Sequence, residues 1–285
     1  MQSVFIIGCG DIGRRVAGRL GGRSVKGLVR KRSDGERLEA LGITPVIADL
    51  DSPEDLEGVR VEGGRVFYFA PPPSEGEVDS RMAHFLTTIQ GQRPEKLVYI
   101  STSGVYGDCE GAWVTEDWPA RPYAARAKRR WDAEQQLMAW SEATGVPVVR
   151  LRVGGIYAPD RLPVERIKKG LTVICPDEAP WSNRIHADDL ARVCIAAAEK
   201  GKAGEIYNAA DGHPSSMTDY FYQVADHLGL PRPQCVPLKE AEDSLSPAMI
   251  SFIRESRRLD NTRMKKDLGV QLLHPSLDLS MTSGS

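Results

Sequence analysis

Residues 121–137 read RPYAARAKRRWDAEQQL, a tyrosine followed by a basic cluster on a helical stretch. Those residue types could move protons. A phenol of pKa roughly 10 is a poor base at neutral pH unless a nearby cation stabilises its phenolate. A helix brings two side chains onto one face only at a separation of three or four residues. Tyr123 is followed at four residues by Ala127, and Lys128 comes one residue late. The pair this chemistry needs is displaced, so the elements that position these residues decide what the stretch can do.

Short apolar runs alternate with amphipathic ones along most of the chain. SVFII (3–7), SVKGLV (24–29), TPVIA (44–48), RVFYFA (65–70), KLVYIS (96–101) and PVVRLR (147–152) are β-branched, near-continuously apolar segments. That pattern suits a parallel sheet covered on both faces. Ile12, Val16 and Leu20, and likewise Met82, Phe85 and Ile89, recur at helical spacing. Repeated strand–helix–strand units imply right-handed crossovers and an α/β, Rossmann-type, doubly wound sheet. A helix beginning near Asp188 and a strand near 205–209 extend it. The expected organisation is a core of 1–155 and 184–210. A small C-terminal substrate lobe takes 156–183 and 211–285, with one good helix at 217–228.

The first strand runs into Gly8-Cys9-Gly10-Asp11-Ile12-Gly13, a G-x-G-x-x-G turn opening a helix inside a βαβ unit. Gly8 suits the tight turn, Gly10 lets backbone approach a pyrophosphate, and Gly13 allows close helix–strand packing. Unpaired N–H groups at the helix start attract that anion. The second strand ends in Arg30, Lys31 and Arg32, where an NAD site carries a carboxylate for the ribose 2′-hydroxyl. Arginine attracts a 2′-phosphate, so NADP is expected over NAD.

YISTSGVYGD (99–108), IHADDLA (185–191) and YNAADG (207–212) resemble the extended and atypical short-chain dehydrogenase/reductases, the NAD(P)-dependent epimerase/dehydratase family. The resemblance implies Asp49 and Leu50 near the adenine, and Ala70, Pro71 and Pro72 beside the nicotinamide half. It implies that Thr102 orients a substrate oxygen, and that a helical tyrosine with a lysine four residues on does acid–base work. Here Pro122-Tyr123 matches the usual entry to that helix. Counting back eight residues from Glu134, however, puts Arg126 at the tyrosine position and Arg130 at the lysine position. The two registers differ by three residues, about 4.5 Å along a helix. Three possibilities stay open. Tyr123 serves with Lys128 or an arginine; Arg126 and Arg130 have replaced the pair and bind an anion; or the site is silent.

Other residues carry weaker signals. Tyr106 in the VYG motif shapes a substrate pocket in relatives. Arg152, Arg161 and Arg184 flank segments that line the expected cleft. Asp188 is read as a helix cap and His186 as loop-ordering. Trp113, Trp118 and Trp181 wall a pocket or pack the lobe. His84 and His227 have no metal-binding companions, and no metal is expected. The 285 residues carry a net charge of −2, which argues against nucleic acid, and KRR at 128–130 is read as a solvated helix face. The chain begins in a strand without a leader, and no window reaches the roughly 20 apolar residues of a membrane span. Five cysteines without paired spacing are read as reduced thiols of a cytoplasmic protein. The expectation is an NADP-dependent oxidoreductase or epimerase-like enzyme acting on a small hydroxylated or carbonyl substrate, with a homodimer as a candidate assembly. The alternative is an NADP-binding sensor or scaffold.

Overall fold

Seven strands form one parallel sheet in the computed structural model, which describes residues 3–244, 250, 253–277 and 279. In chain order the sheet and its flanking helices are β1 (Ser3–Ile7), α1 (Asp11–Ala17), β2 (Ser24–Val29), α2 (Arg32–Glu39) and β3 (Thr44–Ile47). Then follow β4 (Arg65–Tyr68), α3 (Ser80–Thr88), β5 (Lys96–Thr102), α4 (Ala125–Thr144), β6 (Val148–Val153), α5 (Ala187–Lys200) and β7 (Ile206–Ala209). The strand order is β7-β6-β5-β4-β1-β2-β3, with every neighbour parallel. This is the doubly wound Rossmann-type sheet read from the sequence. The winding reverses between β1 and β4, which opens a crevice beyond their carboxyl ends.

The apolar strands need cover on both faces, and the helices supply it. Val16 of α1 and Leu190 and Cys194 of α5 pack on one face. Met82 and Phe85 of α3 with Ala133 and Leu137 of α4 pack on the other. The expected helical spacings hold with trimmed ends: Leu20 lies beyond α1 and Ile89 caps α3, yet both side chains are buried.

The segments read as the lobe hold short helices at Val164–Lys168, Met217–His227 and Leu238–Ser244, and several two-stranded pairs. The helix Thr262–Leu268 turns Met264 and Leu268 into the main core. One expectation is overturned here. Cys175 and Cys235, read as reduced thiols, form a disulfide, because parallel pairing of Val173–Ile174 with Cys235–Val236 brings their Cα atoms to 4.8 Å. Cys9, Cys109 and Cys194 are free and buried. Among the described residues, no helix is long and apolar enough to cross a membrane.

Candidate active site

The glycine turn closes the carboxyl end of β1 against β4. Gly8 has φ +78°, and a Cβ there would lie 2.6 Å from the Ala70 backbone, so only glycine fits. A Cβ on Gly13 would meet Ile6 and the Cys9 sulfur at 3.1 Å, which sets how closely α1 packs on the strand. At Gly10 a Cβ would meet nothing within 4 Å, so this position opens on the crevice. Cys9 is buried, and burial pushes its thiol up to about 12, which makes it a packing residue. Gly8 and Cys9 donate their N–H groups to Leu28 O. The first N–H groups of α1, from Asp11 to Gly13, have no intrahelical acceptor. Ile12 is buried beneath them.

Asp11 is a partner of arginines. Its carboxylate accepts from Arg15 at 2.8 Å and from Arg161 at 2.7 Å. Burial alone would raise its pKa, but these two guanidiniums outweigh it and hold the carboxyl below its ordinary value. Arg161 thereby reaches the glycine turn from the segment after β6. Arg30, Lys31 and Arg32 are exposed at the end of β2 and make no side-chain hydrogen bond or ion pair among the described residues. Asp49 accepts from the Asp51 N–H, and Leu50 is buried with its carbonyl 2.8 Å from His84 Nδ1. Arg81, which the sequence did not single out, donates to the carbonyls of Pro71 and Pro72 and pairs with Asp51 at 2.6 Å, so it anchors the segment after β4. Free N–H groups, an open glycine and an uncommitted basic trio along one crevice fit a dinucleotide.

Thr102 ends β5 and caps the turn Ser103–Tyr106. Its hydroxyl oxygen accepts from Gly104 N–H at 3.2 Å, which leaves the hydroxyl proton to be donated outward. Tyr106 is fully buried and donates to Asn208 at 2.8 Å; burial pushes its phenol up to about 12, so it supports the turn from below.

Helix α4 begins at Ala125, and Tyr123 lies before it, 66% exposed. Lys128 commits its ammonium to Glu77 at 2.6 Å. Arg130 faces inward instead. Its NH1 donates to Ala70 O, Ile100 O and the Tyr99 hydroxyl at 3.0–3.3 Å, joining the ends of β4 and β5. One turn earlier, Arg126 stands 4.0 Å from Glu255; burial lowers its pKa, partly offset by that carboxylate. The register of the helix is held by Glu134, fully buried against Ser101 and Arg152. The structure therefore brings Arg130, and not Tyr123 or Lys128, to the strand ends, while Arg126 stands beside Glu255. The expected solvated KRR face is corrected too: Arg129 is buried with NH1 on Gly76 O, and only Lys128 stays at the surface. Long basic stems bury readily when their heads reach carbonyls.

Sequence reasoning missed Glu255 and Arg257. Arg257 donates to Gly107 O and pairs with Glu255 at 2.9 Å, while Glu255 Oε1 is buried without a partner. No motif marks either residue, because they reach the turn after β5 from about 150 positions away.

The three cleft arginines diverge. Arg152 forms a buried ion pair with Glu134 and stacks over Tyr106, so it is structural. Arg161 pairs with Asp11. Arg184 is 7% exposed with no carboxylate in ion-pair distance among the described residues, and burial pushes its guanidinium down to about 10. The expected cap by Asp188 is overturned: His186 caps α5 by accepting from Asp188 N–H, and Asp188 instead binds Arg15 and Arg19. His186, Asp188 and His274 place ligand atoms within 4.8 Å of one another, but two guanidiniums already neutralise the carboxylate, a poor donor set for a divalent ion. Trp113 and Trp181 are half exposed and flank Arg258, and Trp118 is 37% exposed.

Comparison with known proteins agrees with this architecture. Protein YeeZ of Escherichia coli (strain K12) is 26% identical over 96% of this chain and 97% of its own length. A 4-hydroxy-2-methyl-3-oxo-4-farnesyl-3,4-dihydroquinoline-1-oxide ketoreductase of Stigmatella aurantiaca is 23% identical over 81% of this chain and 74% of its own. A functionally unknown conserved protein from Silicibacter pomeroyi DSS superposes with a TM-score of 0.82 at 31% identity, covering 97% of this chain and 95% of that one. Residues 80–210 match the family described as NAD dependent epimerase/dehydratase. That match spans β5, α4 and α5, so this part of the chain carries the pattern of the NAD dependent epimerase/dehydratase family, on the same parallel sheet that holds the glycine turn.

Proposed function

We propose that the chain is an NADP-preferring oxidoreductase or epimerase-like enzyme acting on a small hydroxylated or carbonyl substrate. Arginines take the places of the tyrosine and lysine. One observation carries this reading: the open glycine turn, Thr102 and the inward Arg130 converge at the carboxyl ends of β1, β4 and β5. The bound dinucleotide supplies a hydride acceptor or donor. Thr102, whose oxygen already accepts from Gly104, donates a hydrogen bond that orients the substrate oxygen, and the proton that oxygen gains or loses is exchanged with water. Arg126, desolvated in the first turn of α4, stabilises negative charge developing on that oxygen but cannot shuttle a proton at neutral pH. Arg130 spends NH1 on the strand ends and offers its remaining N–H groups to the ribose. Arg30, Lys31 and Arg32 receive the 2′-phosphate.

The test is to mix NADPH or NADH with a panel of nucleotide sugars, aldehydes and ketones and to follow absorbance. Substrate-dependent NADPH oxidation that drops at least ~100-fold in Thr102→Ala supports the reading. Full activity in Tyr123→Phe is expected, and its loss would restore the exposed phenol to the chemistry. The 66% exposure of Tyr123 favours a second reading, an NADP-binding sensor, whose signature is tight NADPH binding without turnover on any substrate. The same family likeness suggests a homodimer paired through α3 and α4, checked by light scattering against the chain mass of 31.3 kDa.

A further inference from the structure

Arg184 opens the short strand Arg184–His186, which pairs in parallel with Gly155–Tyr157. It stands opposite Gly155, an exposed residue just where the chain leaves β6 for the lobe. The side chain is largely enclosed. NH1 donates to Ser182 Oγ at 2.8 Å, the Tyr220 ring lies 4.1 Å from the guanidinium carbon, and the residue keeps 7% of its exposure.

What this arginine lacks is an opposite charge. Arg126, Arg152, Arg161 and Arg257 each have a carboxylate within 4.0 Å, and Arg184 has none among the described residues. Asp211 and Asp219 feel its field without reaching ion-pair distance. Asp219 is committed to the cap of the helix Met217–His227 through Ser216. Asp211 accepts from His213 N–H, and its Oδ2 is buried without a partner. A tyrosine face compensates a buried cation only in part, and a guanidinium does not escape by losing its proton. Nε and NH2 of Arg184 make no hydrogen bond among the described residues, and neither is a fully enclosed orphan atom, so this edge keeps some contact with solvent.

We propose that Arg184 is the carboxylate-binding residue of the cleft, and that the substrate of this protein carries a single carboxylate group. With NH1 tied to Ser182, the Nε–NH2 edge presents two parallel donors, the spacing a planar carboxylate accepts in bidentate fashion. One unpaired cation with the Asp211 carboxyl in range suits a singly charged anion. A doubly charged phosphoryl group would find too few donors. The inference takes from the proposed function only that substrate occupies the cleft beyond β6.

The experiment uses the full chain with and without saturating NADPH, and two matched probe pairs: D-glucuronate against D-glucose, and lactate against propane-1,2-diol. Binding is read by calorimetry and saturation-transfer NMR. Each carboxylate is expected to bind at least ~10-fold tighter than its neutral twin. Arg184→Met should erase that preference, and Arg184→Lys, which keeps the charge but not the fork, should retain part of it. Melting curves and NADPH affinity, expected to match wild type, separate a lost site from a lost fold. Absence of a carboxylate preference in the wild-type chain overturns the proposal, as does a preference that survives Arg184→Met. Inorganic phosphate displacing glucuronate at lower concentration than acetate does would overturn the carboxylate class. A preference that vanishes on NADPH saturation would assign the anion to the cofactor and overturn the substrate-side placement. If NADPH does not bind at all, the proposed function falls while the cofactor-free arm still judges Arg184.

Discussion

Arg130 spends one nitrogen on three oxygens, the carbonyls of Ala70 and Ile100 and the hydroxyl of Tyr99. A lysine there could reach the same oxygens with its single nitrogen but would retain fewer donors for a ligand. Arg130→Met is therefore expected to weaken NADPH and NADH alike, read by tryptophan fluorescence titration. Arg30→Ala should separate them, costing NADPH about ten- to hundred-fold, the worth of a charge-assisted hydrogen bond, and NADH little. Equal losses would place the 2′-phosphate elsewhere. Asp211 makes a pH prediction. Burial raises its carboxyl to about 6, so the folded chain holds a proton that the unfolded chain, at 3.8, has released. The stability this supplies is complete below pH 3.8 and is lost as pH rises through about 6. Urea melts of Asp211→Asn should show a flatter profile across that window and, near neutral pH, a gain of up to about 3 kcal/mol. An unchanged pH profile would show that Asp211 is not the group responsible.

The glycine turn and the start of α4 act as elements, and they separate folding from binding. Gly8 has no room for a methyl group and a left-handed φ, whereas Gly10 faces open space. Gly8→Ala is expected to lower stability by about 1–3 kcal/mol and abolish dinucleotide binding. Gly10→Ala should leave the melting temperature within a degree or two while weakening NADPH, because its methyl group would occupy ligand space. Equal melting losses in the two variants would contradict this division. The turn was legible in the sequence because strand, glycines and helix are contiguous. The α4 register was not. Tyr123 looks like the entry to the helix, but which residues face the strands is decided by Glu134, held by Ser101 and Arg152 from β5 and β6.

At the scale of the whole molecule, segments 156–183 and 211–285 meet the crevice through contacts from distant chain, Arg161 on Asp11 and Arg257 on Gly107, and the Cys175–Cys235 bond ties the two segments to each other. The disulfide closes a loop of 60 residues, so Cys175→Ser should cost about 2–4 kcal/mol under oxidising conditions and nothing under reducing ones. Identical denaturation midpoints in both conditions would remove the disulfide from the stability of the lobe. The sequence by itself determined the parallel sheet, the glycine turn and the basic end of β2, because each depends on periodicity or spacing within a few consecutive residues. Tertiary structure alone decided that Arg130 turns inward, that Cys175 meets Cys235, that His186 rather than Asp188 caps α5, and that Arg184 is buried without a counter-charge among the described residues. Those outcomes depend on which carboxylates and carbonyls arrive from elsewhere in the fold, and burial sets the cost of a charge only once its neighbours are in place.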